Sequence, residues 1–219
     1  MAVRPIVRLG QSGDEVLRRP ADPVTTIDGS LQMLIDDMID TVRAAPGVGL
    51  AAPQVGVSLR LIVLNVTGIP PFAVLNAEVV RHGGRRWVEE GCLSIPGYRG
   101  ELFRSVRVTV AGLDRQGRRI RIRAVDDVLA QALEHEIDHT NGLLYIDRIS
   151  GDEHLHRTRR EEDEEIAAPG EVLPEELIEE PQPVRRRGRS PFITRPKRRH
   201  AERVADVREL LRRRAAYRA

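Results

Sequence analysis

The 219-residue sequence is poor in cysteine, in lysine and in long apolar runs. Its one cysteine, Cys92, excludes an internal disulfide framework and is compatible with a reducing compartment. No run of 18 apolar residues occurs, so we expect no membrane span. The first residues also lack the apolar segment of a secretory signal. These absences predict a cytoplasmic protein that has no membrane partner.

Charge is distributed in blocks along the chain. Residues 1–150 are neutral, with 18 arginines against 18 acidic residues. Residues 151–184 carry 12 acidic residues against three arginines, and residues 185–219 carry 14 basic residues against three acidic ones. Such blocks are typical of linkers and interaction tails. We therefore predict a folded domain over 1–150, a disordered linker over 151–199 that is first acidic and then arginine-rich, and a basic helix over 200–219.

Within the predicted domain, apolar periodicity indicates both helices and antiparallel strands. An amphipathic pattern begins after Asp28 and ends at Pro46-Gly47, which predicts one helix. Alternating apolar residues predict several strands, including a hairpin joined by residues 114–117. A second helix is predicted at about residues 126–141. The fold class that follows is α+β, with antiparallel sheets packed around the second helix.

The second predicted helix carries the pattern His135-Glu136-x-x-His139. Residues four apart lie on one face of a helix, so the two imidazoles can bind a single metal ion. Glu136 lies beside them and can act on a water molecule without being a ligand. Two histidines on a helix also occur by chance on solvated surfaces. A catalytic site of this kind uses three protein ligands, so the pattern requires a third ligand elsewhere.

Cys92 is the candidate for the third ligand. It lies in Glu90-Gly-Cys-Leu-Ser94, where Gly91 permits an unusual backbone turn. A thiolate with two imidazoles leaves the fourth position open for water. A structural zinc site would need a further ligand, and the chain has no second cysteine to provide it. The sequence therefore indicates a catalytic metal site.

Three segments of the chain together resemble the signature motifs of peptide deformylases. They are Gly47-Val-Gly-Leu-Ala-Ala-Pro-Gln54, Glu90-Gly-Cys-Leu-Ser94 and His135-Glu-Ile-Asp-His139, in the order found in the family. The resemblance covers residues 1–149 and implies a peptide-deformylase-like fold. It also implies a hydrolase that removes the N-formyl group from the N-terminal formylmethionine of nascent polypeptides and releases formate.

The resemblance implies a ligand role for three residues. Cys92, His135 and His139 would hold one divalent metal ion. The ion expected first is Fe²⁺, because most bacterial members use it, and Zn²⁺, Ni²⁺ or Co²⁺ are able to replace it. The metal, the peptide substrate and the motif residues then form one reaction centre.

The remaining motif residues are given catalytic or substrate-binding roles by the same resemblance. Glu136 would be the general base and acid, and Gln54 together with the backbone N–H of Leu93 would bind the oxyanion. Gly49 would pair its backbone with the substrate peptide as with an added strand. Four small apolar residues are candidates for the methionine pocket, although each is equally compatible with core packing: Val48, Val88, Val128 and Ala132.

Two alternatives stay open on the sequence alone. A zinc peptidase shares the HExxH pattern, but the longer peptidase pattern requires a histidine where this chain has Tyr145. A peptidase would instead take a distal ligand such as Glu161 or Glu162. An inactive deformylase-like body with a basic tail would bind RNA or the ribosome. Some deformylases dock on the ribosome through a basic C-terminal helix, and residues 200–219 are predicted to do so here; no DNA partner is expected.

Overall fold

The computed structural model describes residues 2–151 and 154–158. This part of the chain contains two α-helices, eight β-strands and three short 3₁₀ helices. The α-helices are α1 (Gly29–Ala44) and α2 (Val128–Thr140). The strands are β1 (Gly49–Ala51), β2 (Leu61–Leu64), β3 (Phe72–Gly83), β4 (Arg86–Cys92), β5 (Ile95–Arg104), β6 (Arg107–Leu113), β7 (Arg119–Val125) and β8 (Leu155–Arg157). The 3₁₀ helices are Asp14–Arg18, Ala52–Val55 and Tyr145–Arg148.

Both α-helices begin at an aspartate that caps their first turn. The side chain of Asp28 accepts a hydrogen bond from the backbone N–H of Leu31 at 3.0 Å. Asp127 likewise accepts from the backbone N–H of Ala130 at 2.7 Å. Such a cap typically stabilises a helix by about 1 kcal/mol. After α2, Gly142 adopts a left-handed φ of 73° that ends the helix, as glycine readily does. Both helices lie where the sequence predicted them.

The strands form two antiparallel sheets. Five strands pair in the order β1-β2-β3-β6-β7, and three pair in the order β4-β5-β8. β6 and β7 form the predicted hairpin, with Val110 opposite Ile122. β1 lies at an edge of the larger sheet, where Gly49 pairs with Leu64 of β2. The α+β class with antiparallel sheets around α2 is confirmed.

The two α-helices pack on opposite faces of the five-stranded sheet. Successive residues of a strand point to opposite faces, and β2 shows this division. Val63 packs in the cluster that contains Met38 of α1, whereas Leu64 packs in the cluster that contains Leu133 of α2. A third cluster joins the smaller sheet to the first and last 3₁₀ helices, including Leu17 and Tyr145. α2 therefore lies between the larger sheet and the third cluster, which includes the smaller sheet.

One strand lies beyond the predicted domain boundary. β8 pairs with β5, so that Leu155 stands opposite Gly100, and Leu155 is buried in the third cluster. The folded body therefore reaches at least residue 158 rather than ending at 150. The rest of the predicted linker and the predicted helix over 200–219 lie outside the described residues. Over the residues that are described, neither helix has the length and apolar character needed to cross a membrane.

Candidate metal centre and active site

α2 and the end of β4 bring three potential metal ligands together. Cys92 is the last residue of β4 and pairs with Ile95, so that Leu93 and Ser94 form a tight turn between β4 and β5. His135 and His139 lie one helical turn apart on α2, with ring centroids 5.0 Å apart. Their ligand atoms and the thiol all lie within 4.8 Å of one another. We call these three residues the Cys-His cluster.

The Cys-His cluster has the chemistry of a site for one divalent transition metal. Its donor set is one sulfur and two imidazole nitrogens, which suits such ions. The Sγ atom of Cys92 lies 3.2 Å from Nε2 of His139, so both donors face the same space. Burial lowers the pKa of His139 well below its usual value. The imidazole is therefore neutral at physiological pH, which is the form that binds a metal.

Glu136 is buried beside the Cys-His cluster. Its side chain packs directly on β1, because a Cβ atom added at Gly49 would lie 2.5 Å from Oε1 of Glu136. Its other oxygen, Oε2, has no hydrogen-bond partner among the described residues. Burial raises the pKa of Glu136 to about 7. A carboxyl group with this pKa can both accept and release a proton near neutral pH.

Gln54 reaches the Cys-His cluster from the 3₁₀ helix after β1. Its Oε1 atom accepts a hydrogen bond from the backbone N–H of Ala51 at 2.9 Å, which fixes the orientation of the amide. The Nε2 atom therefore points toward β4 and lies 3.5 Å from Sγ of Cys92 and 3.3 Å from Oγ of Ser94. Leu93 stands between those two residues in the turn. The two predicted oxyanion donors thus belong to neighbouring elements at one site.

The four predicted pocket residues do not share one environment. Val48 and Val128 are 43% and 51% exposed; Val48 directly precedes β1, and Val128 is the first residue of α2. Val88 is partly buried against the third cluster and also lines a surface depression beside Trp87. Ala132 is buried in the cluster between α2 and the larger sheet. Their role in binding methionine stays a prediction.

A buried chain of ion pairs behind the Cys-His cluster was not predicted from the sequence. Glu90 accepts hydrogen bonds from Arg104 at 2.7 and 2.9 Å, and Nη1 of Arg104 lies 2.7 Å from Asp138. Arg148 forms a further ion pair with Asp138. Nδ1 of His135 lies 2.8 Å from the same Glu90 carboxylate. The network thus connects one potential metal ligand to the surface.

The charges of this network are matched in pairs. Burial alone would raise the pKa of Glu90, but hydrogen bonds from Arg104 and His135 lower it to about 2. Glu90 is therefore a carboxylate at any physiological pH. The sequence held no direct signal, because Arg104 is recognisable as inward-pointing only once β5 is known to be a strand; it then follows Leu102 by two residues, and the two are 3% and 1% exposed. An arginine at an inward strand position requires a buried anion.

Comparison with known sequences places the chain in a family. The family model described as polypeptide deformylase matches residues 3–154. The peptide deformylase of Dehalococcoides mccartyi strain CBDB1 is 48% identical over 180 residues, which cover 82% of this chain and 100% of the relative. The peptide deformylase of Halothermothrix orenii is 48% identical over 146 residues, covering 66% of this chain and 94% of the relative.

Solved structures agree with the sequence comparison. The peptide deformylase of Legionella pneumophila is 48% identical with a TM-score of 0.64, over 68% of this chain and 87% of that one. The Thermotoga maritima peptide deformylase is 41% identical with a TM-score of 0.65, over 69% and 100%. The Synechococcus elongatus enzyme, solved in complex with actinonin, is 39% identical with a TM-score of 0.63, over 67% and 80%. The chain therefore belongs to the peptide deformylase family, and its activity is the hydrolytic removal of the N-formyl group from the N-terminal formylmethionine of nascent polypeptides.

Proposed function

We propose that deformylation takes place at the Cys-His cluster, with Glu136 and Gln54 acting on the substrate beside it. The observation that carries this proposal is the convergence of the three donor atoms within 4.8 Å of one another. A buried carboxylate and an oriented amide lie next to them, on α2 and on the 3₁₀ helix after β1. Cys92 supplies the third donor, so no distal glutamate is needed for a complete set of ligands.

Glu136 is assigned the proton transfers. The three residues of the Cys-His cluster would hold a divalent ion, which would supply a Lewis acid that lowers the pKa of a water molecule. The Oε2 atom of Glu136, which has no partner among the described residues, accepts the proton of the attacking water. Hydroxide adds to the formyl carbon, and Glu136 then returns the proton to the leaving amine. The carbon–nitrogen bond breaks, and formate and a free N-terminal amine are released.

Gln54 and Leu93 are assigned the role of stabilising the negative charge that develops on the formyl oxygen. Oε1 of Gln54 accepts a hydrogen bond from the backbone N–H of Ala51, which leaves the NH₂ group of Gln54 directed at the cluster. The backbone N–H of Leu93 lies in the turn that carries Cys92. Donors fixed in this way stabilise an oxyanion without reorganising, and losing one typically costs about 10²–10³ in rate.

The substrate peptide is expected to add to β1 as a further antiparallel strand. β1 lies at the edge of the larger sheet, so its outer backbone groups are available for pairing. Gly49 lies on this strand directly against Glu136. The methionine side chain would then enter a pocket that includes Val48, Val88, Val128 and Ala132. Since the Synechococcus elongatus enzyme was solved with actinonin, we expect actinonin to compete with the peptide here as well.

Fe²⁺ is proposed as the native ion. Thiolate and imidazole ligands also accept Zn²⁺, Ni²⁺ and Co²⁺, so ligand type alone does not select iron. Protein purified without oxygen should contain iron and be active on a formyl-methionyl peptide. Exposure to air should then remove activity, because the metal and the Cys92 thiol are both oxidised. Equal activity and zinc content in both preparations would contradict the assignment of iron.

Substitution of Glu136 tests the proposed mechanism. Glu136→Gln keeps the shape of the side chain but cannot accept a proton. We expect normal metal content and a loss of kcat by about 10²–10⁴. Cys92→Ala should instead lose the metal, whereas an HExxH peptidase with a different third ligand would retain it. An active Glu136→Gln variant would show that another group transfers the proton.

The basic tail is proposed to bring the enzyme to the ribosome in the cytoplasm. The sequence of residues 200–219 contains six arginines interspersed with apolar residues, and the substrate emerges from the ribosome. Charge reversal at Arg212, Arg213 and Arg214 should reduce co-sedimentation with ribosomes at moderate salt. Hydrolysis of a short formyl peptide should not change. Equal co-sedimentation of the wild type and the charge-reversed variant would contradict a role of the tail in ribosome binding.

A further inference from the structure

A patch of five arginines covers one half of a face of the larger sheet. The five residues lie on three adjacent strands, β3, β6 and β7, and all are exposed. They are Arg81, Arg107, Arg119, Arg121 and Arg123. We call this patch the arginine face. Within the part of the chain that the structure describes, none of the five forms an ion pair.

The strand register places these arginines on the same side of the sheet. Arg81 stands opposite Thr109 on β6, and Thr109 stands opposite Arg123 on β7. Arg107 is flanked by Gly83 and Val125, and its guanidinium extends over Gly83. Residues directly opposite in a ladder point to the same face. Along β7 the arginines recur at every second residue, with a spacing of about 6.6–6.8 Å.

The arginine face points away from α2 and the active site. The inward residues of the same strands, Val108, Val110 and Ala124, pack in the cluster of α2. α1 covers the other half of the outer face, where it packs on the start of β3 through Leu75. The helix does not extend over the arginines, which are exposed. A partner on this half of the sheet would therefore leave the active site open.

Among the described residues, acids on the same face do not balance the charge of the five arginines. Glu78 stands opposite Ala111 on the same face, but it is already paired with Arg60 at 3.5 Å. Two like charges about 7 Å apart repel each other by roughly 0.6 kcal/mol in water before salt screening. None of the five arginines stands directly opposite another. The sheet thus carries a concentration of positive charge that no ion pair among the described residues offsets.

We propose that the arginine face is a docking surface for the phosphate backbone of RNA. Guanidinium groups bind phosphate oxygens in pairs of hydrogen bonds, which distinguishes arginine from lysine at such surfaces. A row of exposed arginines can bind along the backbone of a polyanion and needs no base-specific pocket. The substrate of this enzyme is a nascent chain, which emerges from a particle made largely of RNA. This inference is independent of the tail, because the five arginines belong to the folded domain.

Other polyanions fit the face less well. Attachment to a membrane surface usually requires a helix with a broad apolar side or a lipid anchor. Along the strands that carry the arginines, the exposed large apolar residues are Val80 of β3 and Val125 of β7, which do not make a broad apolar side. Acidic polypeptides, including the acidic residues 161–165 of this chain, carry carboxylates that pair with arginine but lack the regular spacing of a phosphate backbone. RNA is therefore the partner that the geometry favours.

The test is charge reversal on β7 in the full chain loaded with metal. The double variant Arg121→Glu/Arg123→Glu is compared with the control Arg19→Glu/Arg43→Glu, which changes the same charge at exposed positions elsewhere. Binding to a labelled RNA hairpin is measured by fluorescence anisotropy over a series of salt concentrations. We expect the face variant to bind about tenfold or more weakly at low salt, and its salt slope to decrease by about 1.4–1.8.

Three controls accompany the RNA-binding measurement. The basic tail is unchanged in both variants, so its contribution cancels between them. Hydrolysis of a short formyl peptide should be the same for wild type and both variants, which also shows that they are folded. Vesicles of phosphatidylglycerol and poly-L-glutamate serve as competing probes. Equal RNA affinity of the two variants, or a larger loss on either competing probe than on RNA, would overturn the inference.

Discussion

Nδ1 of His135 lies 2.8 Å from Oε2 of Glu90. Because Nδ1 is occupied by this contact, Nε2 is the nitrogen of His135 that remains for a metal. The carboxylate also fixes the ring orientation and makes the imidazole a better donor. Glu90 is in turn held by Arg104, whose side chain is only 2% exposed. The position of one potential ligand therefore depends on a buried ion pair that lies outside the Cys-His cluster.

Removing the charge of Glu90 should weaken metal binding. The Glu90→Gln variant keeps the side-chain shape but loses the carboxylate that orients His135. We expect the affinity for Zn²⁺ or Co²⁺ to fall by about 10–100-fold, measured by competition with a coloured chelator. The matched control is Glu89→Gln, at the exposed neighbouring position whose side chain pairs with Arg99. Equal affinity in the two variants, with both folded by circular dichroism, would contradict the orienting role of Glu90.

Loss of Arg104 should destabilise the fold far more than loss of an exposed arginine. Arg104→Met leaves Glu90 and Asp138 buried without their shared partner. Breaking a buried pair in this way typically costs about 3–5 kcal/mol. The control is Arg118→Met, because Arg118 pairs with Asp114 at 2.6 Å while its side chain is 75% exposed. That pair should contribute less than about 1 kcal/mol.

Urea unfolding followed by circular dichroism measures both free energies of unfolding. A difference between the two arginine variants of less than about 1 kcal/mol would mean that solvent or a rearranged Arg148 compensates the buried carboxylates. Metal should be removed from all samples before unfolding, since bound metal stabilises the folded state by mass action.

The helices and the Cys-His cluster could be predicted because their signals are local. Asp28 and Asp127 each accept a hydrogen bond from the backbone N–H three residues further along the chain. His135 and His139 are separated by one helical turn, so their proximity follows from the helix alone. Cys92 was found through the absence of any other cysteine and through the family motif. Its contact with the histidines itself depends on the tertiary fold.

The features that were missed depend on long-range pairing. The sequence does not mark β5 as a strand, because Pro96, Gly97 and Gly100 interrupt its alternation, and it is held as a strand by pairing with both β4 and β8. The apolar pattern of β3 is not continuous, because Asn76 adopts a left-handed φ of 51° within it and the register shifts nearby. The arginine face could likewise not be predicted from the neutral charge count of residues 1–150. Its arginines are brought together only by the register of three strands.

Gly49 should be intolerant of any side chain. Gly49→Ala would place a methyl group 2.5 Å from Oε1 and 2.8 Å from Cγ of Glu136, so the carboxylate must move. A displacement of about 1 Å in a catalytic group can cost roughly 10²-fold in rate. We expect kcat/KM on a formyl-methionyl peptide to fall by at least that factor, while metal content stays normal.

Gly29→Ala is the matched control for this substitution. Gly29 begins α1, and an added Cβ atom there meets nothing within 4 Å. Its activity should equal that of the wild type, and its stability should be unchanged or slightly higher, because alanine favours helices. Wild-type activity in Gly49→Ala would show that Glu136 functions from a different position than the one seen here.

The pH dependence of kcat/KM should report the ionisation of Glu136. Burial raises the pKa of this carboxyl to about 7, so the protonated form persists to a higher pH than for an exposed glutamate. Only the deprotonated form can accept a proton from water, and kcat/KM should therefore decrease about tenfold per pH unit below that pKa. A cation in the Cys-His cluster favours the carboxylate, which places the acid limb of the profile below about pH 7. Metal content must be determined at each pH, since protonation of the ligands also releases the ion. An acid limb that persists unchanged in the residual activity of Glu136→Gln, with full metal content, would assign the ionisation to another group and exclude Glu136 as the general base.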